Sequence, residues 1–246
     1  MPWRIRLRMS NSSVATGVFY LWTTPDDRHH AKTRKNTAAV AMSPRAMVLL
    51  FGIFIGIALT AGTVFNLLTI ALPKIIDERL ASHVPLVLVG SIATLVLICG
   101  AIAQLCVGRL VERFPPHVLF AVITAICFVG NLWAAYADGA MLMVALAVSI
   151  AAIYGQVTVN DIVLARYTAD AWRGRIYAVR YFLLFISAGV AIGMISLLHD
   201  RGGFPMVLAA HADIAFAMFV LTAGLAALVT NVERAQTQAI APQAAE

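Results

Sequence analysis

An all-α integral membrane bundle of six helices is the fold this sequence predicts, and three observations predict it. Six stretches, 46–73, 84–108, 118–137, 139–160, 181–198 and 214–232, run 18 to 28 residues each without a charged residue or histidine. A helix rising 1.5 Å per residue needs roughly 20 apolar residues to cross the hydrocarbon core, so each stretch is long enough or nearly so. Second, 61% of the chain is apolar and only 12% charged, against about 25% charged in ordinary soluble domains. Third, arginine and lysine gather in alternate connecting segments. Lipid supplies no partner for backbone N–H and C=O groups, so segments this apolar are expected to span as helices that satisfy themselves.

The chain divides into a polar, basic tail over 1–45, the bundle over 46–232 and a short tail over 233–246. The first tail holds one apolar patch, 18–22, interrupted upstream by Ser12, Ser13, Thr16 and Gly17. A cleavable signal needs an unbroken apolar run of 7 to 15 residues, so this segment reads as a flexible cytoplasmic tail.

With the first span entering from the cytoplasm, the inside segments hold fifteen basic residues, Arg4 through Arg45, Arg109, Arg113, Arg166, Arg173, Arg175, Arg180 and Arg234. The outside holds three, Lys74, Arg79 and Arg201. That bias predicts both termini inside, with a bacterial inner (plasma) membrane as the expected location. It also explains the net charge of +6 as topology, so no nucleic-acid partner is expected.

The links are short, which makes consecutive spans antiparallel neighbours. Outside are 74–83, a turn at Asp138 and 199–213; inside are 109–117 and 161–180. Glycines four apart, Gly52 with Gly56 and Gly189 with Gly193, mark faces where helix backbones could approach closely. Cys99, Cys106 and Cys127 all fall in spans with no C-x-x-C pair and read as small packing residues. Trp133, Tyr136 and Trp172 stand near span ends and fit headgroup anchoring. HExxH is absent and the six histidines are scattered, so neither a metal nor any other cofactor is expected.

Polar side chains within spans are costly in lipid and are expected to face the bundle interior. The first span carries Thr60, Thr63, Asn66 and Thr69; the second carries Gln104 and the third Asn131. The fourth is richest, with Tyr154, Gln156, Thr158, Asn160 and Asp161 running toward Arg166. Helical spacing puts Tyr154, Thr158 and Asn160 or Asp161 on related turns, with Gln156 closer to the face of Asn160. Asp161 has two readings. It could pair with Arg180 and couple a gate to charge, or it could neutralise Arg166, Arg173 or Arg175 at the interface; the low cost of an interfacial carboxylate favours the second. His211 and Asp213, with Asp200 and Arg201 nearby, read as an interfacial cluster at the outer entrance of the sixth span.

The link after the second span places Gly108, Leu110, Glu112 and Arg113 in the order glycine, leucine two on, acid four on, then arginine. This resembles the loop signature of the major facilitator superfamily of secondary transporters, although Pro115 stands where that family often has glycine. The segment with Arg166, Arg173, Gly174 and Arg175, ending at Arg180, is similar to the basic arginine-glycine loop of the family's carboxyl half. Span count, loop order and both motifs thus resemble helices seven to twelve of a twelve-helix transporter.

The resemblance implies alternating access, in which two six-helix halves rock about a central pathway. It implies a small-molecule solute, a gating role for Gly108, Leu110, Glu112 and Arg113, and a pathway touched by Asn66, since the family's seventh helix lines it. Asn66, Gln104, Tyr154, Gln156, Asn160 and Asp161 are the candidate pathway residues, Asn66 and Gln104 with the alternative of an interhelical hydrogen bond worth about 0.6 kcal/mol. Asn131 lies on a span whose family counterpart packs outside the pathway and reads as structural. Glu112 and Arg113 could clasp a partner bundle or form a solvated surface pair worth under about 1 kcal/mol. Because one bundle is encoded where the family uses two, the implied partner is a second six-helix half or a second copy; a truncated, noncatalytic remnant is the alternative. No enzyme is expected, since G-x-S-G is missing, and the threefold P-x-[DE]-x-x-[KR] signature of six-span mitochondrial carriers is also missing.

Overall fold

The computed structural model describes residues 44–80, 85–168 and 170–240. Nearly all of the basic tail over 1–45 lies outside the described residues, as do 241–246. What is described is all-helical: α1, Pro44–Leu80; α2, Leu86–Leu110; α3, Pro116–Tyr136; α4, Gly139–Tyr167; and α5, Asp170–Ile240. All five contain stretches long and apolar enough to cross a membrane.

The last helical run is two helices joined end to end. Gly202 (φ −154°, ψ 16°) and Gly203 (φ 65°, ψ −166°) leave helical geometry, and Pro205 follows. Gly203 occupies a region of positive φ that only glycine adopts without strain. The break separates an amino limb, 170–201, from a carboxyl limb, 204–240, so the six apolar stretches occupy six helical limbs.

The limbs are longer than the apolar stretches that nucleate them. The link expected over 74–83 is helical as far as Leu80, where Lys74 pairs with Asp77 and Glu78 at 3.3 Å each on successive turns. The link expected over 161–180 is helical as far as Tyr167 and again from Asp170, and the one expected over 199–213 departs from helix only at the glycine pair. Charge ends contact with hydrocarbon, but it does not end a helix whose backbone groups bond to one another. Only the Asp138 turn and the 109–117 link match expectation, the latter shortened to 111–115.

Proline and glycine set those two turns. Pro115 and Pro116 open α3, with Pro116 at a first-turn position where no N–H is required. Gly139, at φ 55°, reverses the chain directly from α3 into α4. Arg79 Nη2 donates to the carbonyl of Ala137 (2.9 Å) and to Asp138 Oδ1 (2.6 Å), tying the end of α1 to that turn.

Within the bundle α1 packs on both limbs of α5, α3 packs on α4 and on the carboxyl limb, and α2 packs on α4. The core runs through Leu67, Leu72, Phe120, Leu146, Ile153 and Leu208, all closed to solvent. The glycines that allow close approach are not the pairs expected from spacing. Gly56 abuts Leu221, but Gly52, Gly189 and Gly193 have nothing within 4 Å of where a Cβ would sit. Close packing falls at Gly62, where a Cβ would stand 2.7 Å from Ser187 Oγ, and at Gly100, where it would meet Ile150 and Tyr154 at 2.9 Å. Likewise Cys127 is buried while Cys99 and Cys106 are exposed, so only the first fills packed space.

The outward face is apolar. Leu95, Leu105, Val129, Phe182, Phe185 and Ile192 are among its large exposed side chains. Water would be a poor solvent for such a belt, and hydrocarbon a good one. The protein is a membrane protein, with Tyr136 and Trp133 exposed at one end of α3 as expected for interfacial anchors. The side chain of Trp172 is outside the described set.

Candidate functional site

An ion pair joins α4 to the amino limb that follows it in the chain. Arg180 Nη1 donates to Asp161 Oδ1, and Tyr177, one turn earlier, donates its hydroxyl to the backbone carbonyl of Asp161 at 3.0 Å. Arg180 is 16% exposed and Asp161 41%, so the pair sits at the mouth of a crevice rather than in the core. Asp161 therefore pairs with Arg180, and not with Arg166, Arg173 or Arg175. The last of the extra helical turns of α4 and the first of α5 bring it there, which hydropathy alone does not reveal.

That crevice has a volume of about 30 Å³, room for a water-sized occupant. Phe51, Phe54 and Ala58 of α1, Asn160 and Leu164 of α4, and Ile176 and Arg180 of the amino limb are among its walls. Asn160 is buried and lines it, so Asn160 and Asp161 belong to one site. Asn66 lies two turns of α1 beyond Ala58, half-buried, donating to Gly62 O (2.9 Å) and across the helix pair to Leu184 O (3.4 Å). Ser187, next to it on the amino limb, donates to Leu59 O at 3.2 Å. Asn66 thus stitches α1 to the amino limb, which is the interhelical role left open for it.

The other expected pathway residues do not converge there. Tyr154 is half-buried, its ring 5.6 Å from that of Phe65 and packed over Gly100. Gln104 is half-buried on α2 with no side-chain hydrogen bond among the described residues. Gln156 is fully buried, its Oε1 without a partner among the described residues. It shares one face of α4 with Ser149 and Asn160, seven and four residues away, so that face forms a buried polar stripe.

A further set of buried polar groups was not legible in the sequence. Thr124 of α3 and Thr222 of the carboxyl limb share a hydrogen bond of 2.6 Å between hydroxyls closed to solvent. His211 is not part of an outer interfacial cluster. It is 0% exposed, and its Nε2 donates to the carbonyl of Val64 on α1 at 2.9 Å. The carboxyl limb begins at Phe204, ten residues before the apolar stretch, and this carries His211 inward while Asp200, Arg201 and Asp213 stay exposed. Asn131 is buried and donates to Cys127 Sγ at 3.3 Å, a structural role as expected.

The gating-loop residues sit together at the opposite ends of α2 and α3 from Tyr136. Leu110, Glu112 and Arg113 are exposed and Gly108 is half-covered. Glu112 and Arg113 form no ion pair with each other or with another described residue, so the solvated local pair is not formed. Of the second loop, Arg166 is exposed, Arg173 donates to Ala165 O at 3.0 Å, and Gly174 and Arg175 are exposed. No protein-family model matches the chain, and no curated protein matches it significantly.

Proposed function

We propose that this chain is one bundle of a membrane transporter of the major facilitator type, moving a small, weakly polar solute by alternating access along the face formed by α1, α4 and the amino limb. The observation that carries this reading is the Asp161–Arg180–Tyr177 group beside Asn160, an ionic and hydrogen-bonding contact placed between helices whose remaining surface is apolar. Ionisable residues inside membrane bundles are costly, and solute pathways and gates are where that cost is met. The excess of arginine on one side supports a topology with both termini cytoplasmic, and a plasma membrane as the site of action.

A bundle this size provides one wall. The crevice, at about 30 Å³, is far below the roughly 300 Å³ of ordinary ligand sites, so the pathway is completed by a second six-helix unit, a partner half or another copy. The same small crevice supports a second reading, a noncatalytic assembly partner of another membrane protein.

The test is flux. Proteoliposomes holding the full chain are loaded with a panel of radiolabelled neutral metabolites and weakly polar dyes and assayed for exchange. A responding solute should lose most of its flux with Asp161→Asn and recover it with the exchanged pair Asp161→Arg, Arg180→Asp. Asn66→Ala should alter the rate at equal membrane abundance. Absence of exchange for every solute, with correctly inserted protein, favours the assembly reading.

A further inference from the structure

At the ends of α2, α3 and α4 a cleft of about 310 Å³ opens to the surface, ten times the volume of the crevice between the helices. Its walls come from the α2–α3 link and from the last turn of α4, and they carry Arg113, Arg166 and Glu112 around His117, with Phe114, Pro115 and Pro116 as apolar lining. Neither the Arg113 nor the Arg166 guanidinium has a hydrogen bond or ion pair among the described residues, though each stands beside a void large enough for a polyatomic ion. Two guanidinium groups lining one cleft repel each other, and a shared anion relieves that repulsion.

The floor is fixed. His117 is 97% covered and held against Thr230 of the carboxyl limb at 3.3 Å, which ties the base of the cleft to the bundle. Glu112 opposes the two arginines from the rim, leaving the set cationic.

We infer that this cleft binds a phosphate group, held in fork geometry by Arg113 and Arg166. Guanidinium groups match phosphate oxygens bidentately, which lysines in the same places would not do. The cleft lies where the apolar spans end, the level of lipid headgroups, and Phe114 on its edge is 54% exposed and open to an acyl chain. A phospholipid headgroup and a soluble phosphate present the same chemistry to it, and experiment separates them.

The experiment uses the full chain in neutral detergent, with short-chain phosphatidylglycerol, short-chain phosphatidylcholine and inorganic phosphate, all radiolabelled, measured by flow dialysis. Phosphatidylglycerol should bind, and the double variant Arg113→Gln, Arg166→Gln should weaken it about tenfold or more, as expected for loss of charge-assisted contacts. Glu112→Gln should tighten it, because the opposing charge is gone. Arg109→Gln, an exposed arginine outside the cleft, should change it less than about twofold, which separates a built site from the general attraction of basic loops to anionic lipid. Binding of phosphatidylglycerol without inorganic phosphate assigns the site to a headgroup; equal binding of both assigns it to a soluble phosphate. The inference is overturned if neither anionic ligand binds better than phosphatidylcholine, if the double variant binds unchanged, or if Arg109→Gln weakens binding as much as the double variant does.

Discussion

The two limbs of α5 have similar hydropathy but are seated in opposite ways. Along the carboxyl limb the buried residues Phe204, Leu208, His211, Ala215, Thr222 and Val229 recur every three to seven positions, a single stripe facing α1 and α3. Along the amino limb, among residues 173–201, only Ser187 and Ala191 are buried, while Phe182 and Phe185 are 65% and 77% exposed. One limb is held by interlocking apolar volume; the other is held by Asn66, Ser187 and the Asp161–Arg180 pair. Hydrocarbon tolerates both because it solvates an apolar side chain as well as a neighbouring helix does. Apolar content therefore reports that a segment enters the membrane, and the spacing of close contacts reports what grips it there.

The contrast breaks most severely at the junction of the limbs. Gly203→Val forces a β-branched side chain into a positive-φ conformation and should lower stability by up to about 3 kcal/mol, read as reversible unfolding of the purified chain in mixed micelles. Next, Leu208→Ala in the seated limb should cost about 2 kcal/mol, the low end for a buried leucine because lipid replaces water as the reference. Phe185→Ala in the other limb should cost less than about 0.5 kcal/mol in the same assay. Equal losses from these two would erase the distinction between the limbs.

Smaller effects sharpen it. Asp161→Asn should destabilise by about 1 kcal/mol and by more than Arg180→Gln, since the first leaves a covered guanidinium without its carboxylate. A charge exchange at both positions should restore most of that loss. The least effect is the coupling between Thr124→Val and Thr222→Val, about 0.6 kcal/mol in a double-mutant cycle, localised to the seated limb.

Six apolar segments and their short connections were legible because hydropathy integrates over many residues. The ends were not. Lys74, Glu78, Asp161 and Arg180 all read as links from their charge, yet each lies in helix, because charge selects the solvent and backbone hydrogen bonding selects the conformation. The Asp161–Arg180 pair was legible as one of four possible partnerships, and choosing among them required the helical course of the chain on both sides of the joint after Tyr167. His211 was misplaced for the same reason as the link ends, since one histidine and one aspartate terminated the apolar run ten residues after the helix had begun. Thr124 with Thr222, 98 residues apart, carries no local signal at all.

The amino limb is braced unequally at its two ends. Near its junction with the carboxyl limb, His199 donates to Glu78 at 2.9 Å and its ring lies 4.7 Å from that of Phe204, while Arg79 beside Glu78 is lashed to the next hairpin. Toward its far end the Asp161–Arg180 pair, the Tyr177 hydroxyl on the Asp161 carbonyl and Arg173 on the Ala165 carbonyl provide the hold. A rod braced this way has a fulcrum at the glycine pair, so rupture of the ionic contact would loosen the end joined to α4 before the end beside Glu78.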